Sequence, residues 1–287
     1  MPKTWLITGS SRGLGRAISE AVLASGDNLA ATARNKDGLN DLIAKFGDRV
    51  LVLSLDVTRF QSACEAVKAT VLKFGRLDVV ANVAGYGNLG PIEDTEIEDF
   101  RAQIETNLFG TIYLSKAAIP TMRQQRAGHI INFSSVGGRI GSTGRAAYSA
   151  AKFGVEGFSE VMATEMAPLG VKVTVIEPGG FRTDFAGSST KIQEVRPEYD
   201  STVGKAARFQ VEYNGKQPGD PAKAAQVILK VAEMDEPPLR LLLGSDAVGI
   251  VEKADLRKAE SDKKWRHLST STDFLPVSRI GLKQQSS

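Results

Sequence analysis

Thr8-Gly9-Ser10-Ser11-Arg12-Gly13-Leu14-Gly15 decides how this chain is read. The stretch ends a short β-rich run over residues 4–8 and opens a helical pattern over 14–25. A glycine at the first position permits a tight turn. The second lets backbone approach a pyrophosphate, and the third lets the helix pack close to the sheet. The helix start then offers unpaired N–H groups and a partial positive charge, which suit phosphate.

Working outward, further strand-like runs cover 28–33, 50–54, 77–82, 129–134, 171–177 and 239–244. Several are continuous apolar runs, such as Leu51-Val52-Leu53 and Val173-Thr174-Val175-Ile176, as expected for strands buried on both faces of a parallel sheet. Helical patterns fill the gaps over 59–74, 97–122 and 148–167, the last closed by Pro168 and Gly170. This alternation predicts a Rossmann-type, doubly wound α/β fold: a seven-stranded, mostly parallel sheet with helices on both faces. One catalytic domain is expected over 1–250. Residues 180–219 carry five glycines, Pro197 and Pro218 between a strand and the helix that Asp220 and Pro221 start. That is too long for an ordinary connection, so it is expected to be a substrate lid. Residues 251–287 are expected to form a C-terminal extension.

The 287 residues are 42% hydrophobic and 24% charged, with a net charge of +3. Such a chain is too apolar for disorder and too evenly charged for a protein driven onto nucleic acid by phosphate contacts. No apolar run reaches the length of a membrane span, and the N-terminus lacks a signal-peptide pattern, so a cytoplasmic location is expected. Cys64 is the sole cysteine and His129 and His267 are the two histidines, which argues against a metal site of Cys/His type and against a Ser-His-Asp hydrolase.

The second strand of a dinucleotide-binding unit ends near the group that reads the adenosine ribose. Nineteen residues after Gly15 stands Arg34, where a carboxylate would accept the 2′-hydroxyl of NAD. A guanidinium forks onto phosphate instead, and Arg12 inside the glycine turn adds a second cation. NADP(H) is therefore expected to be preferred over NAD(H).

Tyr148 and Lys152 lie four apart on one helical face, and Ser135 ends a strand thirteen residues earlier. With the turn at 8–15, Asp56 after the third strand, Asn82-Val83-Ala84-Gly85 after the fourth, Asn107, and Pro178-Gly179 with Thr183, the chain resembles the short-chain dehydrogenase/reductase family over roughly residues 3–245. The resemblance implies a hydride transfer between nicotinamide and a carbonyl/alcohol substrate. Tyr148 would be the acid/base, helped by the Lys152 ammonium. Ser135 would orient the substrate oxygen, and Asn107 would hold a water leading from Lys152. Cofactor contacts would come from Gly9, Ser11, Arg12, Gly13, Leu14, Gly15, Arg34, Asp56, Val57, Asn82, Ala84, Gly85, Tyr148, Lys152, Pro178, Gly179 and Thr183. Asn82 and Gly85 would face the ribose and Thr183 the carboxamide.

Val83 departs from the family pattern, where a second asparagine is common, and puts one local hydrogen bond between the central strands in doubt. Tyr86, Phe181 and Phe185 are the candidate substrate-pocket residues beside Ser135 and Tyr148, and Phe209 is a further candidate within the lid. Arg139 and Arg145, between Ser135 and Tyr148, read as solvated loop arginines, the alternative being that they attract an acidic substrate. Two other functions share the motifs: a redox-sensing regulator that binds the dinucleotide without turnover, and an epimerase or dehydratase using the same Tyr/Lys pair. The family also implies a homodimer or homotetramer, with Ile104, Leu108, Ile112 and Ser115 offered by the helix after Ile97.

Overall fold

The computed structural model describes residues 2–187 and 189–274. Seven strands form one sheet: β1 (Thr4–Ile7), β2 (Asn28–Ala33), β3 (Val50–Ser54), β4 (Val79–Asn82), β5 (Gly128–Phe133), β6 (Val171–Pro178) and β7 (Arg240–Leu243). Their order is β3-β2-β1-β4-β5-β6-β7, and every neighbouring pair is parallel. The expectation of a mostly parallel sheet thus becomes a wholly parallel one. The strand order reverses between β1 and β4, and ligands of open α/β sheets bind outside the carboxyl ends of the strands at such a switch point.

The connecting helices are α1 (Gly13–Ala24), α2 (Asn40–Phe46), α3 (Phe60–Phe74), α4 (Ile97–Ile104), α5 (Gly110–Gln125), α6 (Ala146–Met166), α7 (Lys205–Tyr213), α8 (Pro221–Glu233) and α9 (Ser245–Thr270). Apolar side chains leave the sheet on both faces. One core joins Trp5, Ile7, Leu29 and Ile131 to Ile18 and Val22 of α1 and Ile228 of α8. The other joins Leu6, Val80 and Ile130 to Val67 of α3, Leu114 and Met122 of α5 and Met162 of α6. This two-sided burial is why the strands read as continuous apolar runs.

The helix expected over 97–122 is interrupted. Between α4 and α5 the five residues Glu105–Phe109 form a π turn, with Asn107 fully buried at its centre. Such turns hold one residue more than an α turn. Ser115, one of four residues offered for subunit contact of which some must face the sheet, is buried and accepts a hydrogen bond from Asn82 Nδ2 at 3.1 Å.

Segment 180–219 is more ordered than its turn-forming residues suggest. It contains α7, preceded by a π turn over Asp200–Gly204, and is fastened at several points. Leu89 pairs with Ile192 and Phe181 with Gly219 as isolated bridges. Arg196 forms ion pairs with Glu93 and Asp94. Asp220 caps α8 as expected, accepting from Ala222 N at 2.8 Å, with Pro221 at the first turn.

The boundary expected at 250 falls inside α9. The first turns of that helix bury Ala247, Val251 and Ala254, and residues 255–270 are exposed all round. Residues 275–287 of the expected extension, and Ser188 of the expected lid, lie outside the described residues. No helix among the described residues is long and apolar enough to cross a membrane.

Candidate active site

The glycine turn is built as a cradle. Gly9 and Gly13 adopt φ of 69° and 57°, a region that glycine enters without strain. A Cβ on Gly15 would lie 2.3 Å from the Gly9 carbonyl oxygen, so α1 can come this close to the turn only without a side chain there. Gly9 meets Ala84 across the switch point, where a Cβ would sit 3.2 Å from the Ala84 Cα. Thr8 fixes that neighbour: its Oγ1 accepts from Val83 N at 2.9 Å and Ala84 N at 3.0 Å. The unpaired first turn of α1 faces the resulting cleft of about 810 Å³. A backbone cradle at a helix N-terminus fits the pyrophosphate of a dinucleotide.

Most of the residues expected to hold the cofactor line this cleft: Gly9, Ser11, Arg12, Gly13, Leu14, Gly15, Arg34, Asp56, Val57, Ala84, Gly85, Pro178, Gly179 and Thr183. Arg12 and Arg34 are both exposed and, among the described residues, form no ion pair, whereas neighbouring Arg16 is taken up by Glu20 and Asp41. Asp56 turns one oxygen inward, accepting from Thr58 N and Oγ1 at 3.0 and 2.7 Å. Thr183 stands across the cleft from Gly13, with its Cβ 3.5 Å from where a Gly13 side chain would begin.

Asn82 is the exception. Its side chain does not line the cleft but is buried between strands, with Nδ2 donating to Asn132 Oδ1 at 2.8 Å across β4 and β5. Asn132 Nδ2 in turn donates to Ser159 of α6 at 2.9 Å. The central strands are therefore knitted by Asn82, not through position 83. Val83 packs its side chain against the core and keeps its backbone bond to Thr8.

Tyr148, Lys152 and Ser135 meet at one end of the cleft. The α6 helix carries Tyr148 and Lys152 on its buried face, 7% and 4% exposed. The Lys152 Nζ donates to the Phe133 carbonyl at 2.7 Å and lies 5.7 Å from the Tyr148 ring centre. Ser135 follows the end of β5, and its Oγ accepts from Gly137 N at 3.0 Å. Burial pushes the Tyr148 phenol up from its ordinary value, against which the Ser135 hydroxyl and the Arg145 guanidinium both act. Burial pulls the Lys152 ammonium down to about 8, with Glu156 opposing.

Asn107 does not line the cleft. Its Oδ1 accepts from Tyr86 N at 3.1 Å, and its Nδ2 donates to the carbonyls of Tyr86 and Gln103, each at 2.9 Å. The amide thus makes three bonds to backbone. Its Oδ1 still stands close to Lys152: a Cβ on Gly85 would lie 2.5 Å from that oxygen and 3.7 Å from Lys152 Nζ.

Among the substrate candidates, Phe185 packs against Tyr148 with ring centres 5.6 Å apart. Phe181 lines the cleft and also packs on the core. Tyr86 also lines the cleft. Its hydroxyl lies beside Thr106, in the field of Arg34 and Asp99, and burial raises its pKa. Phe209 is exposed and stacks on Tyr213 at 5.0 Å, and it is Tyr213 that lines the cleft.

Both arginines read as solvated are engaged. Arg139 pairs with the fully buried Glu177 at 3.0 Å and with Asp255 of α9 at 2.8 Å. Arg145 enters the cleft wall. Gln210 and Gln217, within the expected lid but not singled out there, line the cleft, as do Asp246 and Ile250 of α9, which sequence reading missed. No local motif marks them, because only the folded chain brings those segments to the cleft.

The short chain dehydrogenase family model matches residues 3–194. Oxidoreductase BOA17 of Botryotinia fuckeliana is 50% identical over 273 residues, covering 95% of this chain and 100% of that protein. The solved structure of a short-chain dehydrogenase from Streptomyces avermitilis superposes with a TM-score of 0.90 at 39% identity, covering 96% of this chain and 100% of that one. An alcohol dehydrogenase from the archaeon Thermococcus sibiricus, solved in complex with 5-hydroxy-NADP, gives 0.70 at 26% identity, covering 85% and 96% of the two chains. The likeness therefore extends from the glycine cradle through the Tyr148 helix. This chain belongs to the short-chain dehydrogenase family, oxidoreductases that bind a nicotinamide dinucleotide and act on small molecules.

Proposed function

We propose that this chain is an NADP(H)-dependent oxidoreductase that interconverts a carbonyl and an alcohol, with Tyr148 as acid/base. The observation that carries the reading is the buried cluster of Tyr148, Lys152 and Ser135 in the same cleft as the glycine cradle. The nicotinamide dinucleotide supplies or takes the hydride. Tyr148 gives its phenolic proton to the substrate oxygen in reduction and takes it back in oxidation. A phenol is a poor base at neutral pH, and the Lys152 and Arg145 cations favour its ionised form. Ser135 directs its hydroxyl at the substrate oxygen and steadies the charge developing there.

Arg34 and Arg12, which line the cleft and form no ion pair among the described residues, hold the 2′-phosphate. The NADP analogue bound by the Thermococcus sibiricus relative is consistent with that choice. Asp56 and Gly85 meet the adenosine and the nicotinamide ribose, and Thr183 the carboxamide. Asn107 fixes the Tyr86 loop beside Lys152. Segment 180–219 closes over the substrate, with Phe185 packed against the Tyr148 ring. Two chains pair through α4–α6, where Phe109, Phe153 and Val161 are exposed. The test is absorbance of NADPH and NADH against a panel of ketones and alcohols. Oxidation of NADPH by ketones, faster than of NADH, is expected. A protein that binds the cofactor and turns over none of the panel contradicts the reading.

A further inference from the structure

Arg145 stands immediately before α6, three residues ahead of Tyr148. Its Nη1 donates to the Gly87 carbonyl at 2.8 Å and its Nη2 to Gln210 Oε1 at 3.1 Å. Both partners are neutral, and among the described residues no carboxylate forms an ion pair with it. Arg139, Arg196, Arg208 and Arg240, in contrast, each meet at least one carboxylate. A guanidinium carries five N–H donors, so most of the fork remains available.

The surroundings direct this charge at the reacting end of the cleft. The Arg145 Cζ lies 5.9 Å from the centre of the Phe185 ring, which itself packs on Tyr148. Gly87 makes room for both: a Cβ there would be 2.9 Å from Arg145 Nη1 and 2.9 Å from Tyr148 Cδ2. Burial pulls the Arg145 pKa below its ordinary value, the mark of a charge withdrawn from water without a counter-ion. The two acids nearby do not supply one. Asp246 accepts from Gly180 N at 2.7 Å, and Asp184 lines the cleft without an ion pair.

We propose that Arg145 binds a carboxylate on the substrate, so that the preferred substrates are oxo acids and the corresponding hydroxy acids. This rests on the carbonyl/alcohol reading above. The substrate carboxylate provides the missing counter-charge on the guanidinium fork, while the carbonyl of the same molecule meets Tyr148 and Ser135. Gln210 then ties the anion-binding group to α7, so that helix is part of the acid-binding wall.

The test uses matched pairs, each an oxo acid of four to eight carbons and its methyl ester, as substrates with NADPH. The readout is the ratio of kcat/KM for acid over ester. Wild type is expected to favour the acid by at least about tenfold, the worth of one charged hydrogen bond. Arg145→Gln should bring the ratio near unity, and Arg145→Lys should keep part of it. A variant that merely loosens the fold lowers both rates and leaves the ratio. A second readout needs no turnover: the thermal midpoint of the NADP-loaded protein with saturated acids and with their esters. Acids should raise the wild-type midpoint more than esters do, and Arg145→Gln should lose the difference. Esters reduced as well as acids, or an acid preference that survives in Arg145→Gln, overturn the proposal. If acids raise the midpoint selectively but nothing oxidises NADPH, the carboxylate site stands and the oxidoreductase reading fails. If ketones are reduced but no acid is preferred in either readout, the reverse holds.

Discussion

The Lys152 ammonium on α6 donates to the carbonyl of Phe133, the last residue of β5, at 2.7 Å. A buried charge is thereby held by a dipole, with no ion pair to a carboxylate among the described residues. Burial brings its pKa to about 8, against an ordinary value of 10.5. Between those values the unfolded chain keeps a proton that the folded chain has released. Stability of the cofactor-free protein therefore gains a rising contribution as pH climbs from about 8 to 10.5, with a slope of at most about 1.4 kcal/mol per pH unit. Below pH 8 the full burial penalty is present. Urea unfolding of wild type and Lys152→Met at a series of pH values checks this. The difference in stability between them should narrow as pH rises, and a difference independent of pH contradicts it.

Tyr148→Phe keeps the ring against Phe185 and removes the proton donor. Turnover should fall by about 10²–10⁴-fold, the usual worth of a positioned acid/base. NADPH affinity, measured by fluorescence titration, should change little. Retained turnover removes the phenol from the chemistry.

Arg34→Asp replaces a cation of the adenosine end with an anion. The ratio of kcat/KM for NADPH over NADH should fall at least roughly tenfold, since a charge-assisted bond worth about 1.5–3 kcal/mol is lost and repulsion is added. A wild-type enzyme that already favours NADH refutes the assignment.

Val161 on α6 is 59% exposed, far more than its neighbour Met162 at 3%. Val161→Glu should leave the monomer folded and shift it from dimer or tetramer towards monomer in sedimentation at micromolar concentration. A wild-type monomer rules out pairing through this face.

Much of this architecture is legible from local pattern. The glycine turn, the strand runs and the Asp220 cap are short-range features, and they stand where the sequence puts them. The site is legible where one motif carries it, as with Tyr148 and Lys152 on one helical face. It is not legible where a side chain chooses between cleft and interior. Asn82 turned to Asn132 and Asn107 to the Tyr86 backbone, because buried amides must find partners. For Arg145 the local pattern left two readings open, a solvated residue or one that attracts an acidic substrate. A loop arginine reads as solvated until Gln210, sixty-five residues on, folds over it. The helical pattern of α7 was masked by the proline and glycine residues around it.

The π turn at Glu105–Phe109 also sets what changes of chain length this region can absorb. One residue rotates a helix by about 100°. Losing a single codon there would let α4 and α5 wind into one regular helix. Either Asn107 would swing away from the Tyr86 backbone, or Leu114, Ala118 and Met122 would turn from the core towards solvent. Insertions and deletions are therefore barred from a stretch that looks, residue by residue, like an ordinary surface helix. The same changes in the Asn214-Gly215 turn would disturb no such register.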